Sequence, residues 1–416
     1  MTSLTNCPNC GTEIPVPTGA RAWCEHCDWN VGGAAPDEDE SFFDRQYARI
    51  SQRYANATLE TLKAAPVGNL QPQWTTHKAM AFGLAASVHL STLTLLVTGF
   101  VVVATGFPAF AAIFWGAVLC ALVWLMRPKP GKVPSRDLAN QKDFPGLHAL
   151  VNQIAKELGG RPVSKIVVDE SFNAAYGVLG WRRVPVLWIG LPLWTALRRQ
   201  ERVAVLGHEI AHGVNRDGTR GFIVWSALNA LNEWIGLLQG PFYQATTTTE
   251  RVGGYFIYLL SIPFAAVQSL LAQLLCLDKQ QAEYFADYLA STISGTEAMV
   301  ASLRRIGCHE HLDEVLLRNA YSTSQSGSHI LGLFRERIAS LPDREWQRLA
   351  RASQREGARL DASHPPTAYR IEFLNAHMVA TPKIVATEDA MRTIDAEFKA
   401  VQDILGQRLI ARYARD

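Results

Sequence analysis

The chain has 416 residues, 40 basic against 38 acidic, and a formal net charge of +2, which gives no basis for a nucleic-acid or polyanion binder. That length allows two or three domains. Charged residues make up 19%, below the roughly 25% of an ordinary soluble domain, and the apolar surplus gathers in a few long runs that point to a membrane.

Four of the seven cysteines lie at the start, as Cys7-Pro8-Asn9-Cys10 and Cys24-Glu25-His26-Cys27, two knuckles 13 residues apart. Four thiolates at this spacing predict a tetrahedral structural zinc site. A segment of about 30 residues cannot build a core unaided, so the metal would supply its folding energy. A redox-active C-x-x-C is the alternative and lacks a thioredoxin-like pattern around it. Trp23 and Trp29 are placed to pack on this ribbon, which could also dock a protein partner. No secretory signal precedes it, so membrane targeting falls to an internal segment. Free cysteines of this kind suit a reducing compartment.

Ala34 to Glu40 reads as a linker, and Phe43, Tyr47, Ile50 and Tyr54 mark one face of an amphipathic helix over 41–64. Ala79 to Ala104 is a 26-residue run without charge, and Phe107 to Met126 a second of 20. A helix needs about 20 apolar residues to cross the hydrocarbon core, so the two predict a transmembrane hairpin broken at Thr105-Gly106. A pair of buried core helices is the bland alternative.

The stretch 137–200 reads as a small α/β unit. Its elements are a helix from Leu147 to Leu158, strands at Lys165–Asp169 and Val184–Ile189, and a turn at Gly180-Trp181-Arg182-Arg183. Further apolar runs cover Gly221–Leu238 and Val252–Leu277. The first contains Glu233, which at mid-bilayer would cost about 2.5–3.5 kcal/mol and must therefore face protein or water. Lys78, Arg127, Lys129, Lys132 and Arg136 flank the first hairpin and Arg216, Arg220 and Lys279 the second, which orients both termini to the cytoplasm. The rest, 279–416, is helical by pattern.

The chemistry centres on His208-Glu209-Ile210-Ala211-His212. Histidines at i and i+4 share one helix face and can hold one metal. Glu209 lies beside the first ligand, where it reaches a bound water whose pKa zinc lowers to about 7. Gly213 allows a close approach after the second histidine. A third ligand is needed, and Glu283 in Glu283-Tyr284-Phe285-Ala286-Asp287 is the candidate. Asp287, one turn on, can hold a ligand histidine by its other ring nitrogen. Both segments must lie on one side of the membrane, and the two apolar runs between them permit that if both cross or neither does. Cys308, His309 and His311 form another cluster, read as incidental.

Five segments in order resemble the HtpX and CAAX-prenyl-protease group of gluzincin metallopeptidases. They are Asn173–Gly177, Val186–Leu193, His208–His212 with Asn215-Arg216-Asp217, Glu283–Asp287, and Ser363-His364-Pro365-Pro366-Thr367 to Arg370-Ile371, spanning roughly 140–375. The arrangement of apolar helices is closer to HtpX than to the seven-span prenyl proteases. The resemblance implies an α+β, predominantly helical integral membrane protein. Zinc would be held by His208, His212 and Glu283, with Glu209 as general base and Asp287 behind the ligands. Asn173, Ala174, Ala175 and Gly177 would form a substrate-binding edge strand. His364 and Arg370 would sit by the cleft in support of the oxyanion, although His364-Pro365-Pro366 also reads as a helix start. The ribbon departs from that group.

The expected division is a ribbon at 1–33, linker and amphipathic helix at 34–76, a transmembrane hairpin at 77–127, and a metallopeptidase domain at 128–416 with a second hairpin at about 221–277. The expected function is hydrolysis of peptide bonds in membrane or misfolded proteins at the cytoplasmic face, using one catalytic and one structural zinc. The alternatives are a dedicated processing protease and a non-catalytic adaptor, and the intact Glu209 argues against the adaptor.

Overall fold

The computed structural model describes residues 2–32, 42–70, 74–125, 127, 131–132, 139–180, 182–214, 217–319, 326–359 and 364–413. The linker Ala34–Glu40, Lys129, Arg136, Trp181, Asn215, Arg216 and Ser363, and the side chains of Phe43, Asp217 and Arg220, lie outside the described residues.

Strands β1 (Thr2–Asn6) and β2 (Glu13–Pro17) pair antiparallel, Thr2 opposite Pro17. Helix α1 (Phe42–Ala64) follows. It buries Ser51, Ala55 and Leu59, while Ile50 stays 57% exposed. The inward face is therefore turned from the expected Tyr47–Ile50–Tyr54 stripe, with small residues facing the protein.

Helices α2 (Thr76–Gly106) and α3 (Phe110–Leu125) form the first hairpin. α2 runs through Gly106, and the break falls at Phe107–Ala109 rather than at Thr105-Gly106. The hairpin closes tightly because Gly99 and Gly116 face each other: a Cβ on Gly99 would stand 3.1 Å from the Gly116 carbonyl. Leu90, Phe100, Phe110, Trp115 and Trp124 are each more than 60% exposed. Only 11% of the most apolar stretch of α2 is buried, which rules out a core helix. Such a surface exceeds what a soluble monomer carries and suits lipid.

The α/β unit contains α4 (Pro145–Glu157), β3 (Lys165–Asp169), β4 (Ala174–Leu179), β5 (Val184–Gly190) and α5 (Leu191–Ala196). Strand order is β3-β5-β4, with β3 parallel and β4 antiparallel to β5, so β4 is an edge. Helix α6 (Arg199–Val214) then leads into α7 (Asp217–Tyr243) and α8 (Thr248–Ser294). α8 is 47 residues long, about 70 Å at 1.5 Å per residue. It carries the apolar run 252–277 and continues without interruption into Glu283 and Asp287. By length and apolarity α2 and α8 can cross a membrane; α3 is shorter, and α7 is interrupted by Asn229, Asn232 and the half-buried Glu233. α2, α7 and α8 pack through Ala81, Ala85, Val224, Leu231 and Leu271.

The remaining helices are α9 (Thr296–Ile306), α10 (His309–Asn319), α11 (Gly327–Ala339), α12 (Asp343–Arg355), α13 (Thr367–Ala376) and α14 (Glu388–Tyr413). The main core joins the sheet to α4, α6, α11 and α14 through Leu147, Ile166, Leu187, Leu206, Phe334 and Phe398.

Candidate active site and metal centres

Helix α6 is buried on almost every side, and at Gly207 it touches α8. A Cβ there would lie 3.4 Å from the Ala290 Cα. That close crossing brings the carboxylates of α8, one and two turns back, within reach of the histidines of α6.

His208 Nε2 stands 3.2 Å from His212 Nε2 and 3.3 Å from Glu283 Oε2, and His212 Nε2 is 3.3 Å from Glu283 Oε1. A tetrahedral zinc with ligand bonds of about 2.0–2.1 Å requires edges of about 3.3–3.4 Å. The two imidazole nitrogens are one such edge apart, each faces its own oxygen of the Glu283 carboxylate at the same separation, and His₂Glu is a donor set suited to zinc. Glu283 Oε2 is also buried without an aligned hydrogen bond, although His364 Nδ1 is 2.7 Å away; an oxygen facing a cation would be so arranged. Burial works against the Glu283 carboxylate, but the His208 and His364 rings against it, with Arg370 near by, hold it well below the usual range.

His208 Nδ1 lies 2.9 Å from Asp287 Oδ1. This contact fixes the ring and leaves Nε2 for the metal. Asp287 is in turn gripped by Arg370 of α13, whose Nε and Nη2 donate at 2.8 and 2.6 Å. The Nε–Nη2 edge of the Arg370 guanidinium is thus taken up by Asp287, with Nη2 also 3.7 Å from Glu283 Oε2. A bidentate contact of this kind suits a positioning role through Asp287 and His208. Asp287→Ala is expected to weaken zinc binding about 10–100-fold, read by competition with a chelator.

Glu209 lies in the same cleft. Burial pushes its carboxyl above the ordinary range, with His208 and His212 pulling it back. His364 is 57% exposed at the rim. Pro366 takes the cap position and α13 begins at Thr367, so the prolines precede the first turn rather than sit in it.

The cleft, roughly 790 Å³, runs past Phe172, Asn173 and β4 from Ala174 to Leu179. All of β4 pairs with β5 on one side, and its other side borders the cleft. Tyr176 lies over Gly213, where a Cβ would come within 2.6 Å of the ring. Gly213→Ala should displace Tyr176 and β4, lowering kcat/KM about tenfold or more with zinc content unchanged. Trp225, Lys279, Met299, Leu303 and Ile306 also line the cleft. Reasoning from the sequence missed them, and only Lys279, four residues before Glu283, carried a positional signal.

In the ribbon, Cys7 Sγ is 3.6 Å from Cys27 Sγ and Cys10 Sγ is 3.7 Å from Cys24 Sγ. Zinc–sulfur bonds of about 2.3 Å imply edges of about 3.8 Å, so this cluster fits a structural zinc. Trp23 is buried against the body of the protein, and Trp29 packs on the cysteine cluster. The group Glu310, His311 and Glu345 differs. Arg348 reaches between the two carboxylates, pairing with Glu310 and with Glu345 at 2.7 Å, so a guanidinium fills the place of a cation. Cys308 is core, its thiol pushed up to about 12 by burial.

Residues 141–378 match the model of peptidase family M48. The chain is 28% identical over 244 residues to the Protease HtpX homolog of Pyrobaculum aerophilum, covering 56% of this chain and 67% of that protein. It is 26% identical over 252 residues to Protease HtpX of Stenotrophomonas maltophilia, covering 57% and 86%. With the homolog of Bordetella avium the figures are 29% over 164 residues, 38% and 54%. The family match starts after the ribbon and the α2–α3 hairpin. Because it takes in α6, the α8 carboxylates and α13, the chain belongs to peptidase family M48, as a metalloprotease of the HtpX type.

Proposed function

We propose that the protein is a membrane-bound zinc endopeptidase that cuts membrane or misfolded proteins at the cytoplasmic face. The observation that carries this is the convergence of His208 Nε2, His212 Nε2 and the Glu283 carboxylate, the two nitrogens 3.2 Å apart and each 3.3 Å from one carboxylate oxygen, beside Glu209 in a cleft bordered by a strand edge. His208, His212 and Glu283 hold the catalytic zinc, and Cys7, Cys10, Cys24 and Cys27 hold a second, structural one.

When bound, the catalytic zinc polarises the scissile carbonyl and acidifies a water. Glu209 takes the proton of the attacking water and returns it to the leaving amine. Asp287, held by Arg370, keeps His208 in the tautomer that presents Nε2. His364 has Nδ1 on Glu283, which leaves its other ring nitrogen to donate to the developing oxyanion. Asn173, Ala174, Ala175 and Gly177 bind an extended substrate by strand addition. The same reading divides the chain into a ribbon at 1–33, a linker and helix to 76, a membrane hairpin at 77–127, and a peptidase domain at 128–416 that contains the second hairpin. Lys78, Arg127, Lys132 and Lys279 near the helix ends support the cytoplasmic orientation.

The test is zinc per chain in purified protein together with cleavage of an unfolded test protein. Two zincs with chelator-sensitive cleavage are expected. Two zincs with no cleavage would shift the reading to an adaptor. Digestion of the ribbon from outside right-side-out vesicles would refute the orientation.

A further inference from the structure

The cleft does not end at the metal. Beyond the catalytic groups it is bordered by Trp225 of α7 and by Leu275, Asp278 and Lys279 of α8, where these helices leave the α2–α7–α8 membrane cluster. In α8, Asp278 and Lys279 are the first charges after the apolar run 252–277, so they mark the hydrocarbon boundary. Lys78 marks the same level on α2, just before its own charge-free run, and its ammonium pairs with Asp278 at 2.8 Å. Lys78 is only 4% exposed. This pair fixes the two boundaries in register and neutralises Asp278, which leaves the exposed Lys279 as a cation on that end of the cleft.

Helix α8 is therefore a ruler. Leu277 to Glu283 is six residues, about 9 Å of helix, and about three residues of extended chain cover the same distance. Lys279 and Glu283 are four residues apart and share a helix face, so Lys279 leaves the helix about 6 Å on the membrane side of the metal ligand.

We propose, resting on the peptidase reading above, that the cleft takes the juxtamembrane segment of another membrane protein. It is cut about three to six residues from the end of that protein's membrane helix. Lys279 is the specificity residue, engaging a carboxylate side chain between that helix and the scissile bond. Segments flanking correctly oriented helices on the cytoplasmic face are rich in Lys and Arg, and Lys279 repels them. Segments that ought to lie on the opposite face lack those cations and are admitted, so the device selects wrongly inserted proteins.

The experiment uses the full-length zinc enzyme in liposomes with single-span test proteins, the helix placed before or after an uncharged linker. One Asp, Gln or Lys is set in the linker at positions one to eight from the helix, and cuts are mapped by mass spectrometry. Cuts should cluster three to six residues from the helix and move with the helix end when the linker sequence is shifted. Asp between the helix and the cut should be favoured over Lys about fivefold in kcat/KM, roughly the scale of one exposed ion pair. Lys279→Glu should reverse that order. Cuts that follow linker sequence regardless of distance, or equal cleavage of the linker freed from its helix, would overturn the ruler. An unchanged order in Lys279→Glu would overturn the role of Lys279. If the enzyme cuts neither these proteins nor an unfolded soluble one, the peptidase reading fails instead. A photocrosslinker at Leu275 in the Glu209→Gln protein then still decides the placement. Capture of the first four linker residues is expected, and capture of distal residues or none would refute it.

Discussion

Glu209→Gln is expected to lower kcat/KM on an unfolded test protein by about 10²–10⁴-fold, the usual worth of a general acid–base group, while leaving both zincs in place. The separation follows from the geometry. The atoms that close on the metal position belong to His208, His212 and Glu283, and the amide keeps the volume of the carboxylate in the cleft. The amide cannot accept the water's proton, so the loss falls on kcat. His212→Ala should differ by losing activity and one zinc together, because it removes a ligand. A Glu209→Gln protein that loses its catalytic zinc would mean that Glu209 ligates, and one that retains activity would remove it from the chemistry.

The site was legible to the extent that its parts are local. HEIAH places two nitrogens by helical periodicity alone, and the two C-x-x-C knuckles place four sulfurs. Glu283 and Asp287 were legible only as candidates, from the need for a third ligand and the apolar setting of their helix, because 70 residues and two apolar runs separate Glu283 from His212 and an acidic i,i+4 pair is common on any solvated face. The partner of Arg370 was not readable at all. Asp287 takes the Nε–Nη2 edge of its guanidinium through the packing of α13 against α8, a contact across 83 residues. Helix α1 shows the same limit in the fold. Its aromatic stripe suggested the inward face, but α13 comes close enough to favour Ser51 and Ala55. Contact there is completed by polar links, among them Lys63 Nζ to Glu372 Oε1 at 2.5 Å and Gln52 to the Tyr369 hydroxyl.

The ribbon gives the second large effect. Cys24→Ser should lose one zinc per chain and unfold residues 2–32, because structural zinc contributes on the order of 10–16 kcal/mol to folding segments of this size, far more than Ile14 and Trp29 can. The consequence should extend to α12. That helix carries Arg344, Arg348, Arg351 and Arg355 along one side, and like charges at this spacing disfavour a helix. The ribbon neutralises or saturates them. Arg344 stacks on the Trp23 indole at 4.6 Å and donates to its carbonyl at 3.1 Å. Arg348 donates to the Val31 carbonyl at 2.6 Å, and Arg351 and Arg355 converge on Asp28. Arg348 is 1% exposed, and loss of the Val31 carbonyl removes a hydrogen bond from a charged donor, worth about 1.5–3 kcal/mol. Amide exchange in α12 should therefore accelerate at least tenfold in Cys24→Ser, while the zinc of α6 and α8 stays. Unchanged protection would show that α12 is held from its other side, by Glu310 of α10 on Arg348. Faster exchange would make the first zinc a strut beneath the helix whose C-terminal end leads to His364, tying metal in the ribbon to the shape of the active-site rim.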